Sequence, residues 1–159
     1  MLHPIITAVP FTKWGVDFMD CNPASAGGHH HIIVVMDYFT KWEEAMPTIK
    51  YDSEATTQFV LNQNITRFGI PRELVTDHGK HFQNRLMDEL YSKLGYIQEY
   101  SSSYYPQENG QVKAVNKSLK SILQTTVGQR KNIWHIMLYP ALWAYRTTIN
   151  IANGFFHIS

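Results

Sequence analysis

Residues 31–38 read His31-Ile32-Ile33-Val34-Val35-Met36-Asp37-Tyr38. A run this apolar and β-branched suits a strand buried on both faces. It must lie inside a sheet that carries a layer on each side. Upstream, Lys13 to Asp20 alternates loosely, with Trp14, Val16 and Phe18 sharing one face. Between the two runs, Pro23, Gly27 and Gly28 mark a turn over 22–28. Downstream, a third strand is expected from about Trp42 to Ile49. Short connections make these three an antiparallel meander.

Beyond residue 50 the apolar period changes. Ser53 can cap a helix carrying Ala55, Phe59, Val60 and Phe68, stopped by Gly69 and Pro71. Glu73 to Thr76 forms a short strand ending at Asp77. Phe82, Leu86, Leu90 and Leu94 predict a second helix closed by Gly95. Tyr96 to Tyr100 can be a last strand, and Ser101 to Gly110 a polar loop. Val112, Val115, Leu119, Ile122 and Thr126 then predict a long helix. A final one, about 133–147, carries Trp134, Leu138, Leu142 and Tyr145, with Pro140 as a kink. The order βββαβαβαα implies an α/β fold, a mixed sheet with helices on both faces.

The 159 residues are 44% apolar and 17% charged, a globular composition for one domain over 1–159. The sequence leaves open whether its C-terminal end is complete. Fourteen Lys and Arg against thirteen Asp and Glu give +1, so any nucleic-acid surface must be local. The single cysteine, Cys21, excludes an internal disulfide framework and a multi-cysteine zinc module. No stretch is apolar enough for a membrane span. The start at Met1-Leu2-His3-Pro4 does not read as a signal peptide. An intracellular protein is expected. His29, His30 and His31 read as turn and strand-entry residues, because adjacent strand side chains point to opposite faces.

Two carboxylates occupy positions suited to chemistry. Asp17 lies mid-strand among apolar neighbours, and Asp77 ends a strand before His78-Gly79. Ligands of open α/β sheets gather at such strand ends. An Asp within an apolar strand needs a partner. A hard divalent cation is one partner; a salt bridge or, for Asp77, a helix cap is another.

An ordered set of motifs carries a family resemblance over nearly the whole chain. It runs from Trp14-Gly15-Val16-Asp17-Phe18 through Val35-Met36-Asp37-Tyr38-Phe39-Thr40-Lys41-Trp42 to Phe68-Gly69-Ile70-Pro71. Val75-Thr76-Asp77-His78-Gly79 and Phe82 follow, then Tyr105-Pro106-Gln107-Glu108-Asn109-Gly110-Gln111. Ala141-Leu142-Trp143-Ala144-Tyr145-Arg146-Thr147-Thr148 closes it. The sequence resembles the catalytic core of a retroviral-type integrase, most nearly the plant Ty3/gypsy retrotransposon branch.

The resemblance implies an RNase H-like fold with a five-stranded mixed sheet. It implies two Asp and one Glu holding two Mg²⁺ or Mn²⁺ ions. The implied reaction is metal-dependent polynucleotidyl transfer, 3′-end processing and then strand transfer of element DNA into target DNA in the nucleus. Asp17 and Asp77 match the two Asp. The frame Asn109-Gly110-Gln111-Val112 puts Lys113 where the family has its Glu. An ammonium there removes a ligand and adds charge beside the cations, so one ion and impaired catalysis are expected. Glu108 and Asp37 are the nearest other acids. Lys113, Asn116, Lys117, Lys120 and Gln124 form a polar stripe on the predicted long helix. Asn109, Gln111, Asn116, Lys117 and Lys120 are the expected DNA contacts, although a solvated helix face gives the same pattern. Trp134, Trp143 and Tyr145 are expected in the core or a subunit interface, and a homodimer or higher integrase oligomer is implied. The alternatives are a non-catalytic nucleic-acid- or protein-binding module derived from such a core, and an RNase H-type nuclease.

Overall fold

In the computed structural model, residues 9–50, 52–101 and 106–153 are described, with the main chain alone at 106–109 and 150–153. Three strands come first: β1 (Lys13–Asp20), β2 (His31–Asp37) and β3 (Glu43–Thr48). Helix α1 (Ser53–Gln58) runs into a π-helical stretch (Phe59–Ile65) and a last α turn, α2 (Thr66–Phe68). Then come β4 (Glu73–Thr76), α3 (Arg85–Leu94), β5 (Ile97–Tyr100), α4 (Pro106–Val127) and α5 (Trp134–Asn153).

The sheet order is β3-β2-β1-β4-β5. Strands β1, β2 and β3 pair antiparallel, as the short connections require, while β4 pairs parallel with both β1 and β5. This is the mixed five-stranded sheet expected of an RNase H-like fold. Strand β2 is buried on both faces, as its composition dictates. Ile33 and Val35 face a layer with Trp14, Val16, Phe18, Phe59 and Phe82. Ile32 and Val34 face Leu119, Leu123, Leu138 and Leu142 of α4 and α5.

Several local expectations are corrected. Asp52, not Ser53, caps α1, its carboxylate accepting from Ala55 N. Asn84 caps α3, so Phe82 lies before that helix and packs into the core. On α3 the buried positions are Met87 and Leu90, whereas Leu86 is 44% exposed. Helix α4 begins at Pro106, within the stretch read as a loop; residues 102–105 lie outside the described residues. Its buried face runs through Val112, Asn116, Leu119, Leu123 and Val127. Apolar spacing alone places that face on Ile122 and Thr126 instead. Helix α5 continues past Pro140 to Asn153. Trp134 and Tyr145 are core residues, while Trp143 is 70% exposed.

Candidate active site

Strand β1 is the central strand, and its odd positions 15, 17 and 19 face α4. Its parallel register with β4 pairs Lys13 with Glu73, Trp14 with Leu74 and Gly15 with Val75. Each pair differs by the same sixty positions that separate Asp17 from Asp77. Asp77 follows the last residue of β4, so continuing that register brings it beside Asp17 at the end of the neighbouring strand. Parallel strands lie about 4.8 Å apart, close enough for two carboxylates to interact. Asp77 does help to raise the Asp17 carboxyl above its ordinary range, although burial is the larger cause.

Helix α4 supplies the opposing side. A Cβ on Gly15 would lie 2.5 Å from Val112 Cγ2 and 3.1 Å from the Tyr38 ring. Only glycine lets the helix come this close to β1. Two residues along the strand advance about 6.6 Å, and four along the helix about 6 Å. The two elements therefore keep step. Asn116 Nδ2 donates to Asp17 Oδ2 at 3.2 Å, and further on Lys120 Nζ donates to the Asp20 carbonyl at 3.2 Å. Lys113, one position after Val112, is exposed, and its ammonium pulls the Asp17 carboxyl back down against the effect of burial.

Asp77 is held by its own turn. Its Oδ1 accepts from Gly79 N at 2.7 Å and lies 3.6 Å from His81 Nε2. His81 is buried, and burial holds its imidazole below the usual range while Asp77 opposes that shift. His78 stacks on Tyr100 beside this turn, with ring centroids 4.9 Å apart.

Two sequence-derived candidates have surroundings other than those expected. Asp37 is buried and committed to its own turn: Oδ1 accepts from Phe11 N, and Oδ2 accepts from Thr40 N and Oγ1. Asn116 is 4% exposed and faces Asp17, so it is not part of the exposed stripe that Lys113, Lys117, Lys120 and Gln124 form. Its partnership was nevertheless readable, since Asn116 stands four residues after Val112 and shares its helix face. Gln111 Oε1 accepts from Lys41 Nζ at 2.6 Å, which ties the first turns of α4 to the β2–β3 connection. The side chains of Glu108 and Asn109 lie outside the described residues. His31 opens β2, as expected, and His29 and His30 follow the turn that ends at Gly28 and lead into the strand.

Among the described residues, no three His, Cys, Asp or Glu side chains converge as a metal site. The donor chemistry present is two neighbouring carboxylates, Asp17 and Asp77, with the Lys113 ammonium near Asp17. No helix among those residues is long and apolar enough to cross a membrane.

Comparison with known proteins matches residues 8–106 to the integrase core domain family. The Pol polyprotein of Radiation murine leukemia virus (strain Kaplan) is 31% identical over 140 residues, covering 87% of this chain and 24% of that protein. The Gag-Pol polyprotein of Avian reticuloendotheliosis virus is 30% identical over 141 residues, covering 89% of this chain and 12% of its own length. The chain thus spans a quarter or less of these relatives. Among solved structures, a chain of the simian T-cell lymphotropic virus intasome in complex with PP2A regulatory subunit B56 gamma superposes with a TM-score of 0.72 at 21% identity. That match covers 89% of this chain and 49% of the other. The catalytic core domain of BIV integrase gives 0.68 at 21% identity, covering 88% of this chain and 84% of that one. Both share the fold described above.

Proposed function

The chain belongs to the integrase core domain family, and on that premise we propose that Asp17 and Asp77 form a polynucleotidyl-transfer centre whose third ligand has been replaced by Lys113. The observation that carries this reading is geometric: the parallel register of β1 with β4 brings Asp77 beside Asp17, and α4, which carries Lys113, packs against β1 closely enough for Asn116 Nδ2 to donate to Asp17 Oδ2 at 3.2 Å. The donor set fits one hard divalent cation, Mg²⁺ or Mn²⁺, and lacks the carboxylate needed for a second. Such a cation supplies Lewis-acid activation of a phosphate ester and of the attacking oxygen.

The chain's own residues prepare that site. The Asn116 amide holds Asp17 Oδ2, and the Gly79 N–H holds Asp77 Oδ1, so both carboxylates are oriented before anything binds. Lys113 in this setting is a phosphate contact rather than a ligand. Lys117 and Lys120 continue its line along α4, and with Asn109 and Gln111 they give the DNA backbone a sequence-independent track. Asn116 belongs to the carboxylate site. The reaction assigned is 3′-end processing and strand transfer of retrotransposon DNA in the nucleus, impaired here by Lys113. The motif set supports origin in the Ty3/gypsy branch and a single core domain over 1–159. Ile136, Tyr139 and Trp143 stand exposed along α5, which supports a second copy as partner and hence a dimer.

The replacement at position 113 also favours a second reading, a binding module that has kept the DNA track and lost the chemistry. An assay of DNA joining in Mn²⁺ separates the two readings. The chain as it stands should show negligible joining. Lys113→Glu should switch joining on, and Asp17→Asn in that background should abolish it. Equal activity in the unaltered chain and the Lys113→Glu variant would overturn the assignment of the third position. Cutting without joining would point to a nuclease.

A further inference from the structure

Past the Lys120–Asp20 contact, α4 and β1 part. A cavity of about 220 Å³ opens between the end of β1, the last turns of α4 and the start of α5. Its lining includes three buried apolar side chains, Leu123, Val127 and Trp134, together with the Cys21 thiol. Lys120 and Lys131, both exposed, also line it. Water in such a space gains little from the apolar walls, while two lysines contribute to its lining. We propose that this cavity binds a small amphipathic anion, with an aromatic or aliphatic body against Leu123, Val127 and Trp134 and a carboxylate or phosphate head on Lys120 and Lys131.

The charges around the cavity favour an anion. Lys120 gives one of its three ammonium hydrogens to the Asp20 carbonyl, which leaves two for a ligand. The nearby Asp20 carboxylate pairs with His31 Nδ1 at 2.8 Å and is 85% exposed, and at the Cys21 thiol its charge acts less strongly than that of Lys120. The C-terminal end of α4 carries about half a negative charge, which two ammonium groups outweigh. Gly128 N donates back to the Gln124 carbonyl and so occupies one of the helix's terminal acceptors. The wall is stiff where the ligand's body would rest: the Trp134 indole N–H donates to the Pro23 carbonyl at 2.9 Å. Burial holds the Cys21 thiol up at about 11, so it stays protonated at neutral pH and serves as a slow-reacting reporter within the wall. None of this depends on the chemistry assigned to Asp17 and Asp77.

The test uses the full chain with 2-naphthoate and thymidine 5′-monophosphate as probes, and 2-naphthamide as the uncharged control. The readouts are the Trp134 indole N–H resonance and the rate at which N-ethylmaleimide alkylates Cys21. At least one anion should shift the indole resonance saturably and slow the alkylation. The amide should bind about tenfold more weakly, the equivalent of about 1.4 kcal/mol. Lys131→Ala should weaken the anion severalfold while leaving the free protein's Trp134 resonance in place. Tighter binding of naphthoate would mark a free carboxylate as the natural occupant; tighter binding of the nucleotide would mark a DNA end. Equal binding of the amide, undiminished affinity in a Lys120→Ala, Lys131→Ala double variant, or no saturable shift with either anion would overturn the proposal.

Discussion

Asp17 and Glu43 are both carboxyl groups that burial lifts above their ordinary range, yet they sit in opposite surroundings. Asp17 has an amide donor on Oδ2 and an ammonium charge near it, and it lies on the rim between β1 and α4. Glu43 is fully buried where β3 meets α5, and neither of its oxygens has a hydrogen-bond partner among the described residues. Arg146 is close enough to oppose the rise, but its guanidinium is spent elsewhere. It donates twice to the Glu43 main-chain carbonyl, pairs with Glu44 at 3.0 Å and covers the Trp42 ring. Asp17 has a group that orients it, as the metal-ligand role proposed for it requires. The acid at Glu43 is merely enclosed, and the structure around it is what its charge destabilises.

The largest effect should come from removing the enclosed acid. Glu43→Leu is expected to stabilise the fold by about 2–3 kcal/mol at neutral pH, because a buried polar group without partners costs about that much. Urea unfolding measures it. The same group sets a pH dependence. The unfolded chain releases the Glu43 proton near its ordinary value of 4.5, while the folded chain holds it to higher pH. The folded state therefore binds more protons above that value, and stability falls as pH rises, by at most about 1.4 kcal/mol per unit from this group. Glu43→Gln should flatten that part of the curve. An unchanged curve would show that Glu43 has the partner the structure denies it.

Next in size is the close approach that equips Asp17. Gly15→Ala puts a methyl group against Val112 and should cost about 2 kcal/mol, in the range of overpacked cores. It should also push α4 outward, away from Asp17. Thermal unfolding gives the first quantity, and the nuclear magnetic resonance shift of the Asn116 side-chain amide reports the second. A stable variant with an unmoved amide would show that Val112 yields instead of the helix. The smallest effect is expected from Asn116→Ala, a loss of about 1 kcal/mol for one hydrogen bond. It breaks the comparison if the loss is nil, for then Asp17 is no better provided than Glu43.

The fold was legible wherever pattern and period agreed. The double-sided burial of β2 follows from its composition, and the bounds expected for β1 and β4 are those observed. Helix faces were less legible. Asn116 is polar yet buried, Leu86 is apolar yet exposed, and the π-helical stretch at Phe59–Ile65 shifts the period that a regular helix would keep. Asp17 and Asp77 were readable as a pair from motif and position. Their placement side by side needed the parallel register. The sequence also marked Gly15 as part of a motif without showing that it exists to admit Val112. The roles of His81 and Lys41 were not legible, because they depend on contacts that no spacing announces.

The central claim is that position 113 decides how many cations this site can hold. Calorimetric titration with Mn²⁺ tests it directly, comparing the chain with Lys113→Glu under conditions where circular dichroism shows both folded. The account predicts at most one tight site in the chain as it stands. In the variant it predicts tighter binding and a second ion, both lost on Asp17→Asn. Two tight sites with Lys113 in place, or identical isotherms for the two chains, would contradict it.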